Sequence, residues 1–141
     1  MFIDIHVHAE GSETAGQVLD GMDAANLDQI CLFGPPPTTP HPAKGLLTMR
    51  QWDDWLAQLS AAAPDRILPF AWIEPNLPGA ADEADRAITD LGFRGIKMIP
   101  NHWYPCDEAL FPVFARIEAL GAPLLFHSGI LFGNGDSSRY C

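Results

Sequence analysis

Hydrophobic and polar positions alternate at the start of the chain. In residues 2–8, FIDIHVH, Ile3, Ile5 and Val7 fall on one side of an extended backbone and Asp4, His6 and His8 on the other. The spacing predicts a first strand. Val18, Leu19 and Met22 then recur at helical intervals, and Ser12 or Thr14 can cap a helix over about 14–25. Residues 29–33, QICLF, read as a buried second strand, after which Gly34 and five prolines (Pro35, Pro36, Pro37, Pro40, Pro42) forbid regular structure to about residue 46. Thr48 and Gln51 form a capping box ahead of the stripe Trp52, Trp55, Leu56, Leu59, and Pro64 closes that helix. A third strand follows at 67–73, with Pro69 near its start. Pro78 and Gly79 open a helix to about Leu91 whose inner face is Ala81, Ala84, Ile88 and Leu91, with Gly92 past its end. Residues 94–99 form a fourth strand stopped by Pro100. A helix over about 109–120 turns Leu110, Val113, Phe114 and Ile117 inward, residues 123–127 form a fifth strand, and 128–141 read as loop.

The resulting order, β-α-β-α-β-α-β-α-β, predicts an α/β fold with a parallel sheet of about five strands in one domain, 1–141. Two architectures fit: an open doubly wound sheet or part of a barrel. The turn after the first strand, HAEGSE, carries no glycine-rich dinucleotide fingerprint, and there is no P-loop. At 141 residues the chain is too short for a complete (β/α)8 barrel, which takes about 200 residues or more.

Charge narrows the function. Eight basic against 18 acidic residues give a net charge of −10, so no nucleic-acid surface is expected. The only lysines are Lys44 and Lys97, which leaves no polybasic membrane patch, and no apolar run approaches the roughly 20 residues of a membrane span. The N-terminus lacks a basic n-region and long apolar h-region, and three widely spaced cysteines (Cys31, Cys106, Cys141) suit free thiols, so a cytoplasmic location is expected.

The chemistry gathers at strand ends. His6 and His8 stand i, i+2 on one face of a strand, about 7 Å apart at Cα, close enough to share an ion. They are either incidental or a ligand pair at the carboxyl end of the first strand, where α/β folds bind ligands. His127 ends the fifth strand. Alone it reads as a hydrogen-bonded histidine. In a barrel it lies across from the first strand, and the three imidazoles then converge with nitrogens within about 6 Å, leaving a ligand position open as catalytic zinc requires. Lys97, inside the fourth strand between Ile96 and Met98, is a snorkelling lysine, a carboxylated bridging ligand or a charge facing the substrate. On alternation it points toward the histidines. His102, Trp103 and Tyr104 follow on the same rim as substrate-pocket residues or as cover for the core. Glu74 ends the third strand as a helix partner or a site carboxylate, Asp4 can pair with a histidine or an arginine, His41 reads as a loop residue, and Cys106 lacks the basic neighbour a nucleophile needs.

Three segments, FIDIHVHAE at 2–10, LGFRGIKMIP at 91–100 and LFPVFARIEALGAPLLFHSG at 110–129, together resemble the amidohydrolase-related family of metal-dependent hydrolases and decarboxylases on a distorted (β/α)8 barrel. The resemblance implies a divalent metal, zinc in the usual case, on His6, His8 and His127, with Lys97 at the position of a carboxylated lysine in related subgroups. It also implies a histidine from a sixth strand and an aspartate from an eighth. Asp136, nine residues past His127, does not replace that aspartate by position, so the chain reads as the N-terminal half of such a barrel. The expected activity is hydrolysis of a small molecule by metal-activated water, with nonhydrolytic decarboxylation as a variant. The alternative is a half-barrel that binds metal or a partner without turnover and self-associates through exposed sheet edges.

Overall fold

The computed structural model describes residues 1–128; Asp136, Cys141 and the rest of the 129–141 tail lie outside the described residues. Five parallel strands, β1 (Ile3–His8), β2 (Gln29–Phe33), β3 (Ile67–Trp72), β4 (Gly95–Met98) and β5 (Leu124–Phe126), pair in sequence order. Helices α1 (Ala15–Ala24), α2 (Met49–Ser60), α3 (Ala80–Thr89) and α4 (Phe111–Ala119) alternate with them, α4 preceded by a 3₁₀ turn at Glu108–Leu110. The sheet curls into half of a barrel. Among the described residues no helix is long and apolar enough to cross a membrane.

Local chemistry sets the helix starts. Thr14 and Gln17 form a reciprocal capping box on α1, as Thr48 and Gln51 do on α2, each satisfying backbone N–H groups that a helix N-terminus leaves open. The core lies between the strands and helices, around Ile30, Leu32, Leu56, Ile67, Ala71, Ile96, Met98 and Ile117. Ile96 and Met98 point into it, so Lys97 between them faces the other side of the sheet, inside the curl.

Two expectations need correction. First, β1 does not alternate evenly. Asp4 pairs with Ile30 and Val7 with Leu32, three steps on β1 against two on β2, so the strand carries a bulge. Asp4 lines a groove against α1 with Val7, His8, Val18 and Met22. Its Oδ1 accepts the His6 backbone N–H at 2.9 Å, which holds the bulge. Ile3 and Ile5 are not covered: they are 42% and 63% exposed, because β1 is an edge strand. Second, the buried face of α3 takes in Ala80, Glu83 and Ala87 beside Ala84, while Ile88 and Leu91 of the expected stripe pack partly buried against the core. Electrostatics accounts for the buried Glu83. Arg86 donates to Glu83 at 2.6 Å and to Asp54 on α2 at 2.8 Å, and Arg50 adds an ion pair to Glu83 at 3.4 Å. The neighbouring Asp53 is buried on α2, where burial and then Glu83 push its carboxyl well above the usual range.

Candidate functional site

The inner face of the curl is built in rows. His8 pairs with Phe33, Phe33 with Phe70, and Phe70 with Gly95; the next row runs Trp72, Lys97, Leu125. The first row depends on a missing side chain. The Phe70 ring lies over Gly95 so closely that an added Cβ would meet it at 2.3 Å. Phe70 then supports Phe33 edge-on at 5.4 Å between centroids, and Phe33 carries both histidine rings, at 5.3 Å from His6 and 5.2 Å from His8.

On this floor His6 and His8 bring their Nε2 atoms to 3.0 Å. Lys97, fully buried, puts Nζ 3.4 Å from His6 Nε2 and 5.3 Å from the centre of the Phe33 ring. His127 follows β5, its N–H donating to the Met98 carbonyl at 2.9 Å, and borders the same cavity as His6 and His8. The environment keeps the imidazoles neutral. Burial, then the charges of His6, Lys97 and His127, lower His8 to about 4; burial and Lys97 lower His6 against an opposing pull from Asp4.

The cavity is about 650 Å³. Trp72 and Ile99 line one side. The loop after β2 supplies the other through Pro35, Pro36, Pro40, His41 and Pro42. That loop is fixed at both ends. His41 and Gly45 exchange backbone hydrogen bonds of 2.8 and 2.9 Å. Lys44 reaches across to the Gly11 carbonyl at 2.6 Å, with its ammonium 5.4 Å from the Trp52 ring and 5.2 Å from Trp55. Gly11 in turn lies in a turn held by Glu13, whose carboxylate accepts the N–H groups of Glu10, Gly11 and Ser12.

The structure thus brings together His6, His8, Lys97 and His127. It does not bring His102, Trp103 and Tyr104 into the lining of this cavity. Trp103 is buried in the core and packs on Phe126, His102 is exposed in a left-handed conformation (φ 60°), and Tyr104 is 46% exposed. Sequence reading passed over His41 as a loop residue; the signal available was the proline cluster directly after a strand's carboxyl end, where α/β sites form. Glu74, near the same end of β3, is 4% exposed, and burial pushes its carboxyl up to about 7 against the pull of the Trp72 and Trp103 indoles.

A divalent ion fits the imidazole pair chemically. Both rings stay unprotonated, and their 3.0 Å spacing is near the roughly 3.3 Å edge of a tetrahedron of zinc–nitrogen bonds. Among the described residues no group of three or more His, Cys, Asp and Glu side chains could hold a metal, so the fit rests on the pair, with His127 on the cavity wall.

A half-barrel of parallel strands with an HxH pair at the end of β1 and a lysine inside β4 defines a class. The amidohydrolase family profile matches residues 3–139, and the chain belongs to that family, which is metal-dependent. Among solved structures it is similar to 5-carboxyvanillate decarboxylase from Sphingomonas paucimobilis, with 29% identity and a TM-score of 0.67 over 83% of this chain and 36% of that one. It is similar to the 5-carboxyvanillate decarboxylase of Novosphingobium aromaticivorans, determined with manganese and 3-methoxy-4-hydroxy-5-nitrobenzoic acid, with 26% identity and a TM-score of 0.67 over 80% and 34%. The 2,6-dihydroxybenzoate decarboxylase from Rhizobium shares the fold, with 22% identity and a TM-score of 0.71 over 99% and 53%. The chain therefore spans between about a third and a half of the length of these proteins.

Proposed function

We propose that the chain, as one partial domain over 1–141, carries part of the active site of a metal-dependent enzyme that removes a carboxyl group from a small aromatic acid. The observation that carries this reading is the His6–His8 pair on the wall of a cavity with flat apolar sides, with the buried Lys97 ammonium 3.4 Å behind His6 Nε2. The likeness to two 5-carboxyvanillate decarboxylases supports decarboxylation over hydrolysis within the family.

In this reading His6 and His8 hold a divalent cation, with His127 as a further donor. Zinc suits the nitrogen ligands; manganese is what one similar enzyme binds. The cation, when bound, supplies positive charge to anchor carboxylate or phenolate oxygens. Lys97, buried behind His6, adds its positive charge to the same side and draws the carboxylate that is to leave toward the histidine pair, in a site dry enough to strengthen the attraction. Trp72, Pro35 and Pro36 bracket the ring and keep water off it. Breaking the bond from ring carbon to carboxyl then yields carbon dioxide and leaves the ring position to a proton. The thiols of Cys31 and Cys106, both unpaired, suit a reducing, cytoplasmic setting.

The test incubates the 141-residue chain with 5-carboxyvanillate and Mn²⁺ or Zn²⁺ and follows carbon dioxide release. Release that falls more than about tenfold in Lys97→Met at unchanged melting temperature supports the reading. Cleavage of esters or amides without decarboxylation refutes it in favour of a hydrolase. A specific observation favours a second reading for the chain by itself: among the described residues β1 and β5 are the edges of the sheet, and Ile3, Ile5 and Phe126 are exposed beside them. Binding without turnover, with a dimer or larger species on size-exclusion chromatography, is the outcome it predicts.

A further inference from the structure

Glu74 is a costly residue where it stands. Ile73 donates its N–H to the Lys97 carbonyl at 3.0 Å, continuing the pairing of β3 with β4, so Glu74 falls on the same face of the sheet as Trp72. There it is 4% exposed, a burial that carboxyl groups rarely undergo. Its partner is not a cation. Glu74 Oε1 accepts the Trp72 indole Nε1–H at 3.2 Å, and the Glu74 backbone N–H points at the Met49 sulfur at 3.4 Å. Trp72 lines the cavity and meets the His8 ring edge-on at 5.7 Å. An indole has one polar atom, so whatever holds that atom sets the plane of the ring.

We propose that Glu74 is a positioning residue: its buried carboxyl holds the Trp72 indole edge-on to His8 and so sets the flat wall against which a planar aromatic carboxylate lies in the cavity. The part concerning the ligand rests on the reading given under Proposed function; the part concerning the indole does not. Glu74 touches neither the histidine pair nor the cavity itself, and its effect passes through Trp72. The arrangement also accounts for a carboxyl that burial pushes up to about 7: a hydrogen-bond acceptor is required there and a full charge is not.

The experiment uses the full chain with ¹⁵N-labelled indoles, Zn²⁺, and 3-methoxy-4-hydroxy-5-nitrobenzoic acid as the probe. Four tryptophans give four indole N–H resonances, and Trp72→Phe assigns the one that matters. Glu74→Gln keeps an acceptor oxygen and is expected to leave that resonance in place and the probe Kd within about threefold. Glu74→Leu removes the acceptor and is expected to move the Trp72 resonance upfield, leave those of Trp52 and Trp55 in place, and weaken the probe about tenfold, the loss of roughly one hydrogen bond's worth of positioning. An unmoved Trp72 resonance in Glu74→Leu overturns the proposal, as does a moved resonance with unchanged probe affinity. If Glu74→Leu fails to fold, Trp72→Phe is the second variant: it removes the donor and is expected to weaken the probe similarly, and wild-type affinity there overturns the proposal. If the wild-type chain does not bind the probe at all, the aromatic-acid reading of the cavity fails, while the Trp72 resonance still decides whether Glu74 holds the indole.

Discussion

Replacing Gly95 by alanine perturbs the site from beneath without touching a polar group. The new Cβ would sit 2.3 Å from Phe70 Cε1 and 2.8 Å from both Cδ1 and Cζ, whereas ordinary carbon contacts lie near 3.5–4.0 Å. The ring is 8% exposed and cannot simply swing away, because Phe33 packs edge-on against it. Overpacking of this kind costs about 1–3 kcal/mol. The alanine also stiffens the unfolded chain, which returns about 0.4–1 kcal/mol. The net loss is about 1–2 kcal/mol, a fall of roughly 3–8 °C in melting temperature for a domain of this size. Thermal unfolding by circular dichroism reads it. Phe70→Leu removes the ring atoms that clash, so the double variant is expected to lose less than the two singles combined, by about 1 kcal/mol. Because Phe33 carries His6 and His8, Gly95→Ala is also expected to shift both histidine ring resonances. Gly92→Ala, where an added Cβ meets nothing within 4 Å, should strain only its own left-handed turn and leave those rings alone. A Gly95→Ala variant that melts within about 1 °C of the wild type, or strict additivity with Phe70→Leu to within about 0.5 kcal/mol, refutes the reasoning.

Arg86→Ala leaves the buried Glu83 and Asp53 without their main cation and is expected to cost about 3–5 kcal/mol at pH 7 by urea denaturation, part of it recovered in acid as the carboxyls take up protons. Glu74, with its folded value near 7 and an ordinary value unfolded, binds its proton more tightly when folded, so stability falls as pH rises from about 4.5 to 7 and levels off above; Glu74→Gln removes a slope worth about 2–3 kcal/mol over that window, read from denaturation midpoints. Lys44→Ala frees the proline loop from the Gly11 carbonyl and the two tryptophan rings; a loss of about 1–2 kcal/mol is expected, with faster hydrogen exchange confined to the loop's amides at residues 38–46.

The order of elements, the Thr48 capping box and the placing of His6, His8 and Lys97 on one side of the sheet were legible because each follows from local periodicity or from position at a strand end. The bulge in β1 was not. Nothing in IDIHVH marks where an extra residue enters; the Asp4 carboxylate accepts the His6 N–H locally, but the register against β2 that makes the extra residue a bulge is a tertiary fact. The burial of Glu83 on α3 escaped because it reads as a surface residue until Arg86 and Arg50 are placed beside it. Trp103 looked like a rim residue because it follows β4, yet its ring turns down onto Phe126. The proline wall needed three dimensions to be seen, because what folds it over the histidines is Lys44 reaching back 33 residues to Gly11.

The central claim is that His6 and His8 form the heart of a divalent-ion site in this family member. Isothermal titration of the chain with Zn²⁺ and with Mn²⁺, repeated on a His6→Ala/His8→Ala variant, tests it most directly. The account predicts one ion per chain for the wild type and at least about a hundredfold weaker binding in the variant, in keeping with the loss of two imidazole ligands. Equal affinity and stoichiometry in the two proteins would contradict it.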